Sequence, residues 1–275
     1  RAGQSDRLRR DRAVRRARAA LEEARERLAA ALGAERGEIV FTPSGTMADN
    51  LAILGRSRAA RRRGGAGTVV CSAVEHSAVL RAVEAAGREG APVVVLAVDS
   101  DGRVGVETLA EALTAAPAIV SVMWGNNEVG TLQPIREIVD RCRSAGVVVH
   151  TDAVQAFGHD RVRVDEVPVD LLTLSAHKLG GPKGVGALYV RRGVELDPII
   201  FGGGQERGLS PATENVAAAV GFAIAAEIAV RDRETESARL RRLRDRLESG
   251  LRERIPGVQV NGAEAARLPH ITNIT

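Results

Sequence analysis

Residues 171–190 read Leu171-Leu-Thr-Leu-Ser175-Ala-His-Lys178-Leu-Gly-Gly181-Pro-Lys183-Gly-Val185-Gly-Ala-Leu-Tyr-Val190. Two apolar runs, Leu171–Leu174 and Val185–Val190, bracket a polar segment that holds both of the chain's lysines, Lys178 and Lys183. Short apolar runs bounded by turn residues read as strands buried on both faces. Every other strongly basic side chain is an arginine. This background replaces lysine wherever a positive charge is enough, so lysine persists where a primary amine is needed. A guanidinium stays protonated, whereas a lysine amine can lose its proton when buried and attack a carbonyl.

The same texture extends outward in both directions. A short strand is expected at Glu38–Phe41, and further apolar runs occur at Thr68–Cys71, Pro92–Leu96, Ala118–Met123 and Val147–His150. Helix-length amphipathic stretches separate several of them, at Ser77–Ala86, Val106–Ala115 and Ile135–Ala145. A further helix starts near Met47, and Arg7–Leu32, free of Gly and Pro and closed by Gly33, predicts a long one. The alternation predicts an α/β fold, a mainly parallel sheet wrapped by helices. From Asn215 the texture changes. Ala217–Ala229 reads as a buried helix, Arg231–Arg254 as an exposed amphipathic one, and Val258–Val260 and His270–Ile274 as strands. We therefore expect a large α/β domain over residues 1–230 and the start of a small, incomplete C-terminal α+β domain over 231–275.

Composition narrows the function classes. Aromatic residues make up 2% of the chain, so Val, Leu, Ile and Ala must build the core. The net charge of +4 is small against 39 basic and 35 acidic residues, and the Arg7–Arg18 run reads as a solvated helix face. No direct nucleic-acid binding is expected. Two cysteines, Cys71 and Cys142, make neither a disulfide framework nor a metal cluster, so we expect no metal and a reducing, cytoplasmic setting. No apolar run approaches membrane-spanning length and the first residues lack a signal-peptide core, so no membrane association is expected.

Compact polar groups follow the strands. They are Ser44-Gly45-Thr46, Glu75-His76, Gly125-Asn126-Asn127-Glu128, His150-Thr151-Asp152-Ala153-Val154-Gln155 and Ser175-Ala176-His177-Lys178. Ligands of open parallel sheets collect beyond these strand ends. Each group alone has a plain structural role: a Ser-Gly-Thr turn or an aspartate caps a helix, a lone histidine satisfies the core, a lysine faces solvent. Together they fit pyridoxal 5'-phosphate. That cofactor needs a phosphate cradle at a helix N-terminus, an amine for covalent attachment, and a carboxylate for its pyridine nitrogen.

The chain resembles the cysteine desulfurase family of fold-type I pyridoxal-phosphate enzymes, within the class V aminotransferase superfamily. The matching motifs are Phe41-Thr-Pro-Ser-Gly-Thr-Met-Ala-Asp-Asn50, Glu75-His-Ser-Ala-Val-Leu80, Asn126-Asn-Glu-Val-Gly-Thr131, His150-Thr-Asp-Ala-Val-Gln155, Ser175-Ala-His-Lys178 with Gly181-Pro-Lys-Gly184, and Gly202-Gly-Gly-Gln-Glu-Arg-Gly208. The resemblance implies that Lys178 holds the cofactor covalently, Asp152 pairs with the pyridine nitrogen, and Gln155 bonds the phenolic oxygen. It implies that His76 stacks on the ring and takes part in proton transfer. Thr46, Ser175 and His177 would bind phosphate with backbone help from Gly45, and Asn127 would lie near the cofactor oxygen and the substrate carboxylate. Thr213 would reach the phosphate of a neighbouring subunit, which implies a homodimer.

The implied reaction converts L-cysteine to L-alanine and leaves the sulfur as a persulfide on a protein cysteine. A sulfur-acceptor protein would then carry it to iron–sulfur cluster assembly or nucleic-acid thiolation. In this family the attacking cysteine and an arginine for the substrate carboxylate follow the strand that resembles His270–Ile274, beyond residue 275. Cys71 and Cys142 read as structural thiols. Met47 stands where the family has a glutamate, and Leu209-Ser210-Pro211-Ala212-Thr213 replaces a stretch that carries an arginine. Two further readings remain: another pyridoxal-phosphate lyase or aminotransferase that needs no protein thiol, and a scaffold that keeps the fold without turnover.

Overall fold

A computed structural model describes residues 2–275, with side chains from Arg12 onward. Strands form at the apolar runs: β1 (Ile39–Thr42), β2 (Val69–Ser72), β3 (Val93–Leu96), β4 (Ile119–Ser121), β5 (Val148–Asp152), β6 (Leu171–Ser175) and β7 (Gly186–Val190). They make one sheet in the order β1-β7-β6-β5-β4-β2-β3. The β2–β3, β2–β4, β4–β5 and β5–β6 pairings are parallel, whereas β7 is antiparallel to both β6 and β1. The expected parallel architecture is therefore present, with one reversed strand inside it.

The helices are α1 (Ala2–Leu32), α2 (Gly45–Arg62), α3 (Ser77–Arg88), α4 (Val106–Leu113), α5 (Ile135–Ser144) and α6 (Val216–Arg254). Alternate strand residues face opposite sides, and each side has its own apolar layer. Val69 and Cys71 pack with Leu51 and Ile53 of α2 and Val79 and Val83 of α3. Val70, Val120 and Leu172 pack on the other side with Leu28, Leu109, Ile138 and Phe222, from α1, α4, α5 and α6. Each such side chain, fully buried, contributes about 1.5–3 kcal/mol. Only the edge strand β3 is open, with Val95 55% exposed.

Two sequence expectations change. The buried and exposed helical stretches after Asn215 are one 39-residue helix, α6, which passes through Arg231 unbroken. The change at that point is in how much of the helix is covered, and nothing in the backbone marks it. Val258–Val260 and His270–Ile274 are not full strands. They meet in an antiparallel bridge, Val260 with Ile274, extended by backbone bonds between Gln259 and Thr275 of 2.8 and 3.0 Å. The chain beyond α6 returns to the core: Leu268 donates its N–H to the carbonyl of Gly130, in the loop after β4, at 2.8 Å and is fully buried.

The reversed strand matters for the site. Because β7 runs backwards, its first residue, Gly186, sits at the edge where the parallel strands end, paired with Thr42 of β1 and Ser175 of β6. A Cβ on Gly186 would lie 2.6 Å from the Ser44 carbonyl carbon and 2.7 Å from the Gly45 nitrogen. Only glycine lets the Ser44–Gly45 turn lie this close to the sheet end.

Candidate active site

The C-terminal ends of β1, β4, β5 and β6 and the loop after β2 enclose a cavity of about 320 Å³. It is lined by Gly45 and Thr46 from the start of α2, by His76 and Asn127, by Asp152 and Gln155, and by Ser175, His177 and Lys178. Every residue expected at the site except Thr213 is brought to this one cavity. The strand order reverses here, with β2 and β4 adjacent and β3 beyond β2, which is where open α/β sheets place ligands.

One wall is built for an anion. Ser44 caps α2 by accepting the Met47 N–H at 3.1 Å, so the free N–H groups of the first turn point outward. A Cβ on Gly45 would come within 3.3 Å of both the Ser175 Cβ and the Val154 Cγ2, so bare backbone faces the cavity. Ser175 Oγ and His177 Nδ1 are hydrogen-bonded at 2.9 Å. Partial burial, with Lys178 and Lys183 nearby, lowers the His177 pKa. The exposed Lys178 follows directly, on a 3-10 turn (Ala176–Leu179) that ends at Gly180 with φ +74°.

The same cavity carries a carboxylate and an imidazole. Asp152 ends β5 and accepts the Val154 N–H at 2.9 Å. Burial raises its pKa, while the Val154 bond, His76 and Lys178 oppose that shift. His76 caps α3: its Nδ1 accepts the Ala78 N–H at 3.1 Å, which leaves Nε2 as the protonated nitrogen of the neutral ring. Asn126 holds the next loop by accepting the Glu128 and Val129 N–H groups at 2.9 Å, and so presents Asn127 to the cavity.

Sequence reasoning missed Asp49. It lies one turn along α2 from Gly45, is buried, lines the cavity and comes within 4.8 Å of both His76 and Asp152. Burial and the neighbouring Asp152 push its pKa well up, and its Oδ1 has no hydrogen-bond partner. The signal was present: a carboxylate four residues from Gly45 falls on the helix face that otherwise carries Ala48, Ala52 and Ile53. Beneath it His150 bonds Ser121 Oγ at 2.8 Å and Thr173 Oγ1 at 3.0 Å. Burial lowers its pKa to about 3, so it is a neutral strut.

Glu75 is a second buried acid. Its Oε1 accepts Ser72 Oγ–H at 2.5 Å and the Met123 N–H at 2.8 Å, and burial raises its pKa from 4.5 to about 8. The folded state thus retains a proton that the unfolded chain releases above 4.5. Stability from this group is full below that value and is lost as pH rises to about 8. Urea unfolding of Glu75→Gln across this window should show a flatter pH dependence than the wild type; an unchanged slope would contradict the assignment.

Thr213 stands apart. It is exposed on the loop before α6, beside Phe41 and Ser210. It also borders a larger cavity, about 770 Å³, against α1. That cavity contains the Arg25–Glu206 ion pair at 2.6 Å and no lysine, so it lacks the chemistry of the smaller one.

The class-V aminotransferase family model matches residues 3–275. The chain belongs to the class-V aminotransferases. A curated member, the cysteine desulfurase IscS of Clostridium botulinum, is 44% identical over 254 residues, 92% of this chain. This chain spans 64% of the length of that relative. The corresponding protein of Dictyoglomus turgidum is 43% identical over 94% of this chain. Among solved structures, DndA from Streptomyces lividans superposes with a TM-score of 0.90 at 38% identity, covering 97% of this chain and 75% of its own. SspA in complex with cysteine superposes at 0.83 with 33% identity, over 95% of this chain and 73% of its own. The chain shares their α/β architecture, that of fold-type I pyridoxal-phosphate enzymes.

The site of this class-V aminotransferase fits pyridoxal phosphate on its own geometry. The glycine-floored helix N-terminus with Thr46, Ser175 and His177 suits the phosphate, Lys178 offers a primary amine, and Asp152 offers a buried carboxylate.

Proposed function

We propose that this chain forms the cofactor-binding portion of a cysteine desulfurase, which converts L-cysteine to L-alanine and passes the sulfur to a protein thiol. One observation carries the reading: a single cavity gathers Lys178, Asp152 and His76 with a phosphate cradle. The names of the IscS relatives and the cysteine held by SspA support the substrate.

Bound pyridoxal phosphate supplies an electron sink for charge developing at the amino acid Cα. Lys178 would hold the cofactor through its amine and, as a free amine, would move the Cα proton. Asp152 would favour positive charge on the pyridine nitrogen, His76 would cover the ring and relay protons, and Gln155 would donate to the phenolic oxygen. Gly45, Thr46, Ser175 and His177 would anchor the phosphate, and Asn127 would contact the substrate carboxylate.

The sulfur-accepting thiol comes from outside residues 1–275. Cys71 and Cys142 are fully buried, and burial pushes both thiols up to about 12, far from a reactive thiolate. Thr213, exposed and away from its own chain's cavity, serves the phosphate of a second subunit, so the enzyme is a homodimer. We place it in the cytoplasm, acting with a sulfur-acceptor protein, and assign residues 231–275 to a smaller domain that α6 joins to the large one without a break. No described helix is long and apolar enough to cross a membrane.

Incubating the full-length protein with L-cysteine and a reductant tests the activity. Equal yields of alanine and sulfide are expected. A keto acid without sulfide would replace desulfuration by a transamination or lyase reaction, and no turnover despite bound cofactor would favour the scaffold.

A further inference from the structure

We infer that His270 is a positioning residue for Gln155, holding its side-chain carbonyl so that the amide N–H₂ faces the cavity. The inference rests on the reading of Gln155 as a cofactor contact. His270 Nε2 lies 3.4 Å from Gln155 Oε1, across 115 residues of sequence. An amide offers one accepting oxygen and one donating nitrogen, so a donor fixed on the oxygen decides which end meets a ligand. With Oε1 engaged by His270, the nitrogen is left for an oxygen anion in the cavity that Gln155 lines.

The ring is held from two directions. Its chain segment is tied to the loop after β4 by the buried Leu268, whose N–H bonds the Gly130 carbonyl at 2.8 Å. Its face lies on His159, with ring centroids 3.9 Å apart and planes inclined at 31°. His159 stands four residues after Gln155, and its carbonyl accepts Ser237 Oγ–H from α6 at 2.8 Å. The loop that carries Gln155 therefore also carries the brace for the ring that orients it.

Two features argue against a packing role alone. The Nδ1 atoms of both His159 and His270 are buried without a hydrogen-bond partner. An apolar pair of similar size would avoid that cost, so the imidazole is retained for its other nitrogen. Burial, then the facing His159 and Lys178, lower the His270 pKa to about 4. The ring is neutral near pH 7 and carries a single N–H.

The test compares holoenzymes of the full-length wild type, His270→Leu and His270→Gln. The leucine keeps bulk without a donor, and the glutamine restores a donor at similar reach. His270→Leu should bind pyridoxal phosphate about tenfold more weakly, the scale of one lost hydrogen bond to a charged group. The pH midpoint of its visible absorbance should also move upward, because the phenolic oxygen loses its oriented donor; His270→Gln should restore both. Wild-type affinity and midpoint in His270→Leu would overturn the inference, as would equal losses in both variants. Nitrogen-15 NMR of the wild-type imidazole gives a check without substitution: protonation at Nε2 is expected, and protonation at Nδ1 overturns it. Failure of the wild type to bind the cofactor would refute the reading of the site itself, and this inference with it.

Discussion

Lys178→Ala protein will fold normally, retain no covalently bound cofactor after denaturation, and lose about four orders of magnitude in kcat/KM. That loss is the upper end of what one positioned acid–base group contributes, and in the proposed reading the same amine also attaches the cofactor. The side chain is exposed on a turn set by the β6 register and by Gly180, so its removal leaves the core untouched. Lys183→Arg is the matched control. It lies five residues on, also exposed, and arginine preserves charge while abolishing nucleophilicity. The control should keep covalent cofactor and turnover. If Lys183→Arg loses it as Lys178→Ala does, the primary amine of Lys183 is required, and the assignment of the attachment to Lys178 fails.

Asp152→Asn should lower kcat by two to three orders of magnitude, the size of one preorganised electrostatic contact in a dry site. Folding should respond in the opposite sense. Asp152 is a buried carboxylate whose pKa burial raises, with Asp49 close by. A neutral amide removes that desolvation cost and the repulsion, so thermal stability of the cofactor-free protein should be unchanged or increased. A variant that loses activity and unfolds together would make Asp152 a structural residue. A variant with wild-type turnover would remove it from the chemistry.

Much of this was legible in the sequence because a buried sheet imposes its own pattern. Val69–Cys71 and Leu171–Leu174 are apolar without a break since both faces are covered, and a polar group at the end of such a run lies at the sheet edge. Asp152, Ser175 and Lys178 are legible for that reason. An apolar run has no direction, so Val185–Val190 did not reveal that β7 is antiparallel. Gly186, whose missing Cβ admits the Ser44–Gly45 turn, was hidden for the same reason. The continuity of α6 was missed because Arg231 changes the exposure of the helix and not its propensity. Asp49 sat inside a helical pattern, where pattern reading assigns polar residues to solvent. His270 meets Gln155 only through tertiary packing of distant segments, which no local signal encodes.

The most direct test is borohydride reduction of the full-length holoenzyme followed by tryptic digestion and mass mapping. A pyridoxyl adduct should appear on residues 164–183, on Lys178, and it should block cleavage after that residue. A label on Lys183 or elsewhere, or no label at all, would contradict the account.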